Sequence, residues 1–432
     1  MSNLINLKFY LNDNQNGGGE LADFMPYSDH YKMKEETKLD NPYYCPDLFP
    51  FLCKNTSNAA GLCRRTENEC NRTLIAGVPN KVRIKYEPVK KSNNLGNAFG
   101  YKSDNLSTSC YKWHLIYQKD FDQPERLPDN FKLMTMNIWG LSKKNLVKYS
   151  MMERRMNKIS EIISNEMPDI VCLQEMSNAS FGFLNPQVDT KYNRSEDIFL
   201  SDLEILQQRN RSLDCFAYLK YKPKSVKIFS VGGNLGYDNS VLVIEYDDTV
   251  IFNIYVQSGS KFSPGQEENA IHYSRCRREQ YEMIGRQINE IYSDKKIIIC
   301  GDFNTHLDGS ESDWPETNQL KLMNLNDVYR SLHSDPGLTE DTSTNLMRWN
   351  TKFMEKKYRY DGILVKKLNF SSCRVIGKEP FDLTELETGY VLDFLNGHRL
   401  DPSRLIYKEN SNPRILEWWP SDHYGLVSEL SK

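Results

Sequence analysis

The stretch Lys295 to Leu307, KKIIICGDFNTHL, constrains this chain more than any other. Ile297, Ile298, Ile299 and Cys300 form a short apolar run without polar alternation, the pattern of a fully buried strand. Gly301 stops the run and delivers Asp302 and Asn304 to its mouth, where a residue without a side chain lets a ligand approach the backbone. An anion and an amide at such a point can hold a water and a phosphate oxygen. Gly-Asp also makes ordinary turns, so the stretch alone leaves both readings open.

The chain upstream and downstream supplies a frame for that strand. Lys132 to Ile138 alternates as a strand, Leu146 to Met167 carries Met152, Met156, Ile159 and Ile163 along one helical face, and Asp169 to Gln174 is a second buried strand. A strand, helix, strand unit of this kind builds a sheet covered by helices. Residues 185 to 211 are polar and read as an insertion beside a cleft. Strands are expected at Lys227 to Val231, Ser240 to Tyr246 and Val250 to Val256, with a hairpin turn at Asp247-Asp248. An amphipathic helix over Ile271 to Tyr292 leads into the opening strand. Tyr360 to Val365 and Gly425 to Leu430 read as later strands, with a variable region between Lys366 and Asn412.

A length of 432 residues predicts more than one unit, and 39% hydrophobic with 12% aromatic residues suffices for a sizeable core. Residues 1 to 125 lack sustained periodicity and read as an N-terminal extension or small Cys-containing module. Residues 126 to 432 read as the main domain, with a boundary near Phe121 to Asn130. A net charge of -3 announces no global basic field, though a local groove can still be basic. No apolar run spans a bilayer and the N-terminus has no signal-peptide pattern, so an intracellular location without a membrane span is expected. Five of the ten cysteines, Cys45, Cys53, Cys63, Cys70 and Cys110, fall in the N-terminal region. Their spacing does not match paired zinc knuckles, and metal binding, disulfides and free thiols all remain open. Cys172 and Cys300, inside apolar runs, read as buried thiols.

Acidic and amide residues recur at strand ends in a consistent order: Met136-Asn137-Ile138-Trp139-Gly140, Leu173-Gln174-Glu175, Gly301-Asp302-Phe303-Asn304, Tyr360-Asp361-Gly362-Ile363 and Ser421-Asp422-His423. Each alone is weak, and Ser28-Asp29-His30 repeats one tripeptide outside any such context. In this order, residues 131 to 432 resemble the endonuclease/exonuclease/phosphatase (deoxyribonuclease I-like) superfamily. The resemblance implies an α/β fold, a four-layer α-β-β-α sandwich with two central mixed sheets and the site at one end of them.

The resemblance also implies roles. A phosphodiester resists hydrolysis because an anionic centre must accept a nucleophile, so a divalent metal, Mg2+ or Mn2+, and a base are needed. Glu175 would be the main metal ligand, supported by Asn137 and Asp422. Asp302 would deprotonate the attacking water, Asn304 would hold that water or the phosphate, and His423, paired with Asp361, would donate to a phosphate oxygen. Many members carry a histidine after the strand that here ends in Tyr255-Val256-Gln257-Ser258; none occurs there, and Tyr255 becomes a possible phosphate contact or a half-buried strand aromatic. His306 copies the missing motif in the wrong strand and receives no role.

For the substrate, nucleic acid is expected, of the 5′-tyrosyl or abasic type, and a monomer is plausible. Arg275, Arg277, Arg278 and Arg286 on one helix, Lys220, Lys222, Lys224 and Lys227 before a strand near the expected cleft, and Trp418-Trp419 as a stacking pair favour it. A sphingomyelinase-like lipid phosphodiesterase, hinted at by Trp139-Gly140, and a catalytically inactive binding or particle protein are the alternatives.

Overall fold

A computed structural model describes residues 114–140, 150–188, 213–232, 239–259, 270–398, 400–409 and 414–432. The N-terminal cysteines Cys45, Cys53, Cys63, Cys70 and Cys110 lie outside the described residues, as does most of the 185 to 211 insertion. The strands in chain order are β1 (His114–Asp120), β2 (Asn130–Asn137), β3 (Ile170–Met176), β4 (Leu213–Leu219), β5 (Ser225–Gly232), β6 (Asn239–Glu245), β7 (Thr249–Tyr255) and β8 (Lys296–Asp302). They continue as β9 (Asn326–Asp327), β10 (Glu340–Asp341), β11 (Lys357–Tyr358), β12 (Asp361–Lys366), β13 (Asn369–Ile376), β14 (Phe381–Asp382), β15 (Glu417–Trp418) and β16 (Gly425–Ser431). A seven-stranded sheet runs β1-β5-β6-β7-β8-β12-β9, and a five-stranded sheet runs β13-β16-β2-β3-β4.

The two sheets face each other, and the alternation of side chains along each strand sets the layers. In β8, Ile298 and Cys300 point to the core between the sheets, whereas Ile297 and Ile299 join the core beneath a helix. That helix is α3 (Ala270–Arg286), after α1 (Met152–Glu166) and α2 (Asn178–Val188), and it closes in a π turn at Gln287–Ile291. Helix α1 buries Met152, Met156, Ile159 and Ile163, the face that the helical spacing predicts, and packs on the outer side of the five-stranded sheet. The fold is thus the four-layer α-β-β-α sandwich. Cys172 and Cys300 are buried free thiols. Among the described residues no helix is long and apolar enough to cross a membrane.

Three features depart from the sequence reading. Strand β1 lies upstream of the boundary near Phe121 to Asn130, yet it pairs antiparallel with β5 from His114↔Ser230 to Asp120↔Ser225, so the sheet begins before that boundary. The region from Lys366 to Asn412 contains β13, which pairs with β16, and a helix, Glu385–Gly397, that begins with a capping box between Thr384 and Glu387. β13 was invisible because it is an edge strand with a polar outer face, Asn369, Ser371 and Arg374. Finally, Lys220, Lys222, Lys224 and Lys227 do not border the cleft. Leu219 pairs with Ile170 at the start of β3, so Lys220, bonded to Asp169 at 3.2 Å, sits at the opposite end of that strand from Glu175. Over a seven-residue strand that is roughly 20 Å.

Two pairings bear most on the site. β2 and β3 run parallel in one sheet, and β7 and β8 run parallel in the other, so the C-terminal ends of all four emerge on the same edge of the sandwich. Gly301 has φ of 133°, and a Cβ there would lie 2.1 Å from the Ile254 carbonyl oxygen of β7. Only glycine lets β8 approach β7 this closely. Gly301→Ala should therefore cost more than about 3 kcal/mol, read by urea denaturation, and an unaltered midpoint would refute the packing argument.

Candidate active site

Asn137 ends β2, Glu175 is the penultimate residue of β3, Asp302 ends β8, and Asp361 opens β12 directly opposite Asp302 in register. The strands fix the backbones and the local conformation aims the side chains. Glu175 and Asn304 adopt left-handed φ values of 57° and 46°, unusual for residues with a Cβ and a sign of held strain at a functional edge. The loop after Asn137 packs tightly beneath Glu175: a Cβ on Gly140 would come within 2.3 Å of the Glu175 carbonyl oxygen and 2.5 Å of Ser180 Oγ. Close packing therefore accounts for the glycine at position 140.

One amide joins the two halves of the site. Asn137 Nδ2 donates to Glu175 Oε1 at 3.2 Å and to Asp302 Oδ2 at 3.0 Å, and its Oδ1 accepts from the Trp139 backbone at 2.9 Å. Tyr255, from β7, donates its hydroxyl to Glu175 Oε1 at 2.9 Å. Asp302 Oδ1 accepts from the Asn304 backbone at 2.7 Å, and Asn304 Nδ2 is held by the Val256 carbonyl at 3.0 Å. His423 Nδ1 lies 2.8 Å from Asp361 Oδ2, in a buried pair. Ligand atoms of Asp302, Asp361 and His423 fall within 4.8 Å of one another. The sequence-predicted residues Asn137, Glu175, Tyr255, Asp302, Asn304, Asp361, Asp422 and His423 all converge on this edge.

Charge is distributed unevenly among them. Burial, with Asp361 adding to it and His423 opposing, pushes the Asp302 carboxyl up to about 7. Burial disfavours the charged imidazole of His423, but the Asp361 contact outweighs it and raises His423 well above the ordinary histidine range. Asp361 Oδ1 is buried with no hydrogen-bond partner. Among the described residues Glu175, half-buried, takes its hydrogen bonds from the neutral groups of Asn137 and Tyr255 and forms no ion pair, while Arg155, Arg348 and Lys352 act on it only at longer range. Such a carboxylate, with other hard oxygens nearby, offers the donor chemistry a divalent cation such as magnesium takes.

Asp422 has a different partner. The guanidinium of Arg348, missed in the sequence reading, reaches Asp422 Oδ2 at 2.7 Å and Glu340 Oε1 at 2.6 Å. Lys356 adds a cation 3.6 Å from Glu340. Although burial pushes the Glu340 carboxyl upward, Arg348 and Lys356 prevail and hold it at about 2. Arg155, fully buried, donates to the carbonyls of Ile138, Trp139 and Pro420 and so ties the β2 loop to the loop carrying Ser421-Asp422-His423. Thr339 Oγ1 accepts from the Tyr360 and Asp361 backbones, and Asn345 Nδ2 donates to the Ser421 carbonyl at 2.8 Å. Thr339, Glu340, Asn345 and Arg348 lie in a polar stretch with no sustained strand or helix period, which is why pattern gave no sign of them, whereas Arg155 lies on α1 and only burial reveals its role.

Other expectations do not hold. Trp418 and Trp419 are buried, with their indole nitrogens bonded to the carbonyls of Ser150 and Lys378, so neither is available for stacking a substrate. On α3, Arg277 is buried against Glu316 and Arg286 pairs with Glu282, leaving the basic face shorter than the sequence suggested. His306, to which the sequence reading gave no role, sits among Trp314 and Tyr358 and accepts from the Arg359 backbone at 3.1 Å.

The model of the Endonuclease/Exonuclease/phosphatase family matches residues 134–423. Among solved structures, TDP2 from D. rerio complexed with single strand DNA product is 15% identical, covers 71% of this chain and 100% of its own, and superposes with a TM-score of 0.44. SmcL is 15% identical over 71% of this chain and 100% of its own, with a TM-score of 0.48. A mutant beta toxin from Staphylococcus aureus with bound magnesium ions is 19% identical over 70% of this chain and 100% of its own, with a TM-score of 0.46. A search of curated proteins returns no match.

The Arg348 arrangement generates a stability test. Arg348→Met leaves Glu340 and Asp422 buried without their shared cation and should cost about 3–5 kcal/mol at pH 8. In the unaltered chain Glu340 titrates below its unfolded value, so its contribution is present above pH 4.5 and lost as pH falls toward 2. In the variant an unpaired buried carboxylate prefers its proton, so the deficit should shrink between pH 8 and pH 5. Urea denaturation at both pH values measures this, and a deficit that does not change with pH would contradict it.

Proposed function

The chain belongs to the endonuclease/exonuclease/phosphatase family and is a phosphoester hydrolase, and we propose that it is a divalent-metal-dependent phosphodiesterase that cleaves nucleic acid by direct attack of water. The observation that carries the reading is the Asn137 amide, which holds Glu175 and Asp302 on either side of one point beside the Asp361–His423 pair. A metal ligand, a base and an acid are each within reach of one phosphorus.

Asp302 is the base: buried and close to Asp361, it takes a proton more readily than an ordinary aspartate, and the Asn304 backbone fixes its orientation. Asn304, its amide anchored to Val256, presents a polar face to the water or to a non-bridging oxygen. The Asp361 contact favours the protonated imidazole of His423, which, with Nδ1 on Asp361, turns Nε2 toward the phosphate as a donor. Glu175 would be the principal cation ligand, and Tyr255 holds its carboxylate in place rather than reaching the phosphate itself. Asn137 fixes that carboxylate, and Asp422, neutralised by Arg348, braces the loop on which His423 stands. Bound Mg2+ or Mn2+ would supply neutralisation of charge on the phosphate oxygens. No side chain here forms a covalent intermediate.

One observation supports a polyanionic substrate. Arg275 and Arg278 line a cavity of about 290 Å³ with Ser274 and Trp314 at the start of α3, and Arg277 beside it donates to the Gln257 and Gly259 carbonyls after β7.

A panel of 5′-tyrosyl and abasic oligonucleotides, with sphingomyelin vesicles alongside, tests the reading in the presence of Mg2+ or Mn2+. Oligonucleotide cleavage should appear with either metal and vanish with chelator; release of headgroup from vesicles instead would favour a lipid phosphodiesterase. Glu175→Ala and Asp302→Asn should each lower kcat on the order of 1000-fold. Because the base must be deprotonated, kcat should rise with pH along an acid limb whose midpoint lies at or below about 7, the value for Asp302 without a cation. A midpoint clearly above 7 would remove Asp302 from that role.

A further inference from the structure

We propose that Lys352 contacts the substrate, its ammonium taking a phosphate oxygen at the mouth of the site. The inference rests on the hydrolase reading above and adds to it the cation that recognises the anion.

Lys352 closes a short helix, Met347–Lys352, and stands one turn beyond Arg348 on the same face. The helix is clamped from behind. Asn350 and Ile406 exchange two hydrogen bonds at 3.2 and 3.0 Å, Trp349 Nε1 donates to the Arg404 carbonyl at 3.0 Å, and Arg404 packs over the rings of Trp349 and Phe353. Its front face therefore has a fixed direction, which Arg348 reveals by reaching Asp422 and Glu340. Lys352 shares that surroundings: Arg348 repels its charge and burial of its stem adds to the effect, drawing it below the ordinary lysine range, while Asp422, Glu175 and Glu340 pull the other way.

The cations near the carboxylates are not equivalent. Arg348 is spent on Glu340 and Asp422, and Lys356 is buried against Glu340 and the Tyr360 hydroxyl. Arg155 is spent on backbone carbonyls. Lys352 is exposed, and among the described residues no hydrogen bond or ion pair engages it. A phosphodiester anion approaching a rim of carboxylates meets repulsion unless the protein supplies a cation at the entrance. A lysine ammonium suits that task, as a compact charge on a flexible stem that can meet one oxygen in several poses.

The test uses the full chain with Mg2+ and two probes, inorganic phosphate, followed by calorimetric binding, and bis(4-nitrophenyl) phosphate, followed by turnover. Lys352→Met keeps the apolar stem and removes the charge. It should weaken phosphate binding and raise KM about ten-fold, leave kcat within about three-fold, and flatten the dependence of KM on ionic strength, with the melting temperature unchanged. Lys352→Arg should restore most of the loss. Phosphate affinity and KM within two-fold of the unaltered chain, or an equal loss in the arginine variant, would overturn the assignment. A chain that binds phosphate in a Lys352-dependent way yet hydrolyses neither the diester nor the oligonucleotides would overturn the hydrolase reading while leaving the contact in place.

Discussion

Two carboxylates that repel one another have to be held a few ångströms apart, and the structure does this with one amide. Asn137 Nδ2 lies between Glu175, from the five-stranded sheet, and Asp302, from the seven-stranded sheet, and donates to both. Without such a donor two nearby buried anions would push apart or take up a proton. The bridge continues one layer down, where Gln174 Nε2 donates to Asn253 Oδ1 at 2.7 Å and Asn253 Nδ2 donates to the carbonyls of Leu173 and Phe216. A polar seam therefore runs through the otherwise apolar space between the sheets and fixes their relative register beneath the reacting edge. Such a seam tolerates little slip, since its members lose their partners if one sheet moves by even part of a residue.

The remaining charges are balanced in pairs rather than by solvent. Asp361 is matched to His423, Glu340 and Asp422 share Arg348, and Lys356 lies against Glu340. Buried ions are tolerated only when partnered, and the desolvation they cost is offset by short, directional contacts. Among the described residues Glu175 and Asp302 stand outside these ion pairs, each held by neutral donors. Two neighbouring carboxylates held in that way have room for a cation from solution.

The chemistry was easier to read from the sequence than the scaffold that holds it. Buried strands announce themselves by unbroken apolar runs, so β3 and β8 were legible, and the polar residue that follows each run is the one delivered to the edge. The face of α1 could be read for the same reason, from spacing alone. Edge strand β13 exposes Asn369, Ser371 and Arg374, which pattern cannot tell from a loop, and β1 follows a region of irregular texture. Arg348 and Glu340 were hidden because an ion pair needs proximity between segments and leaves no period along the chain. Trp418 and Trp419 misled for the opposite reason: an aromatic pair beside a catalytic motif has the same composition whether it stacks on a ligand or fills a core, and only burial decides. The lysines from Lys220 to Lys227 likewise carried charge but not place, because the register of β4 on β3 sends them to the far end.

Strand β16 lies inside the five-stranded sheet, between β13 and β2, and follows directly on Asp422 and His423. Strand β2 therefore pairs with a strand far along the chain, from Ser431↔Asn130 to Leu426↔Thr135. Contacts so distant in sequence close late in folding, so the inner layer and the imidazole beside Asp361 take shape together rather than piecemeal.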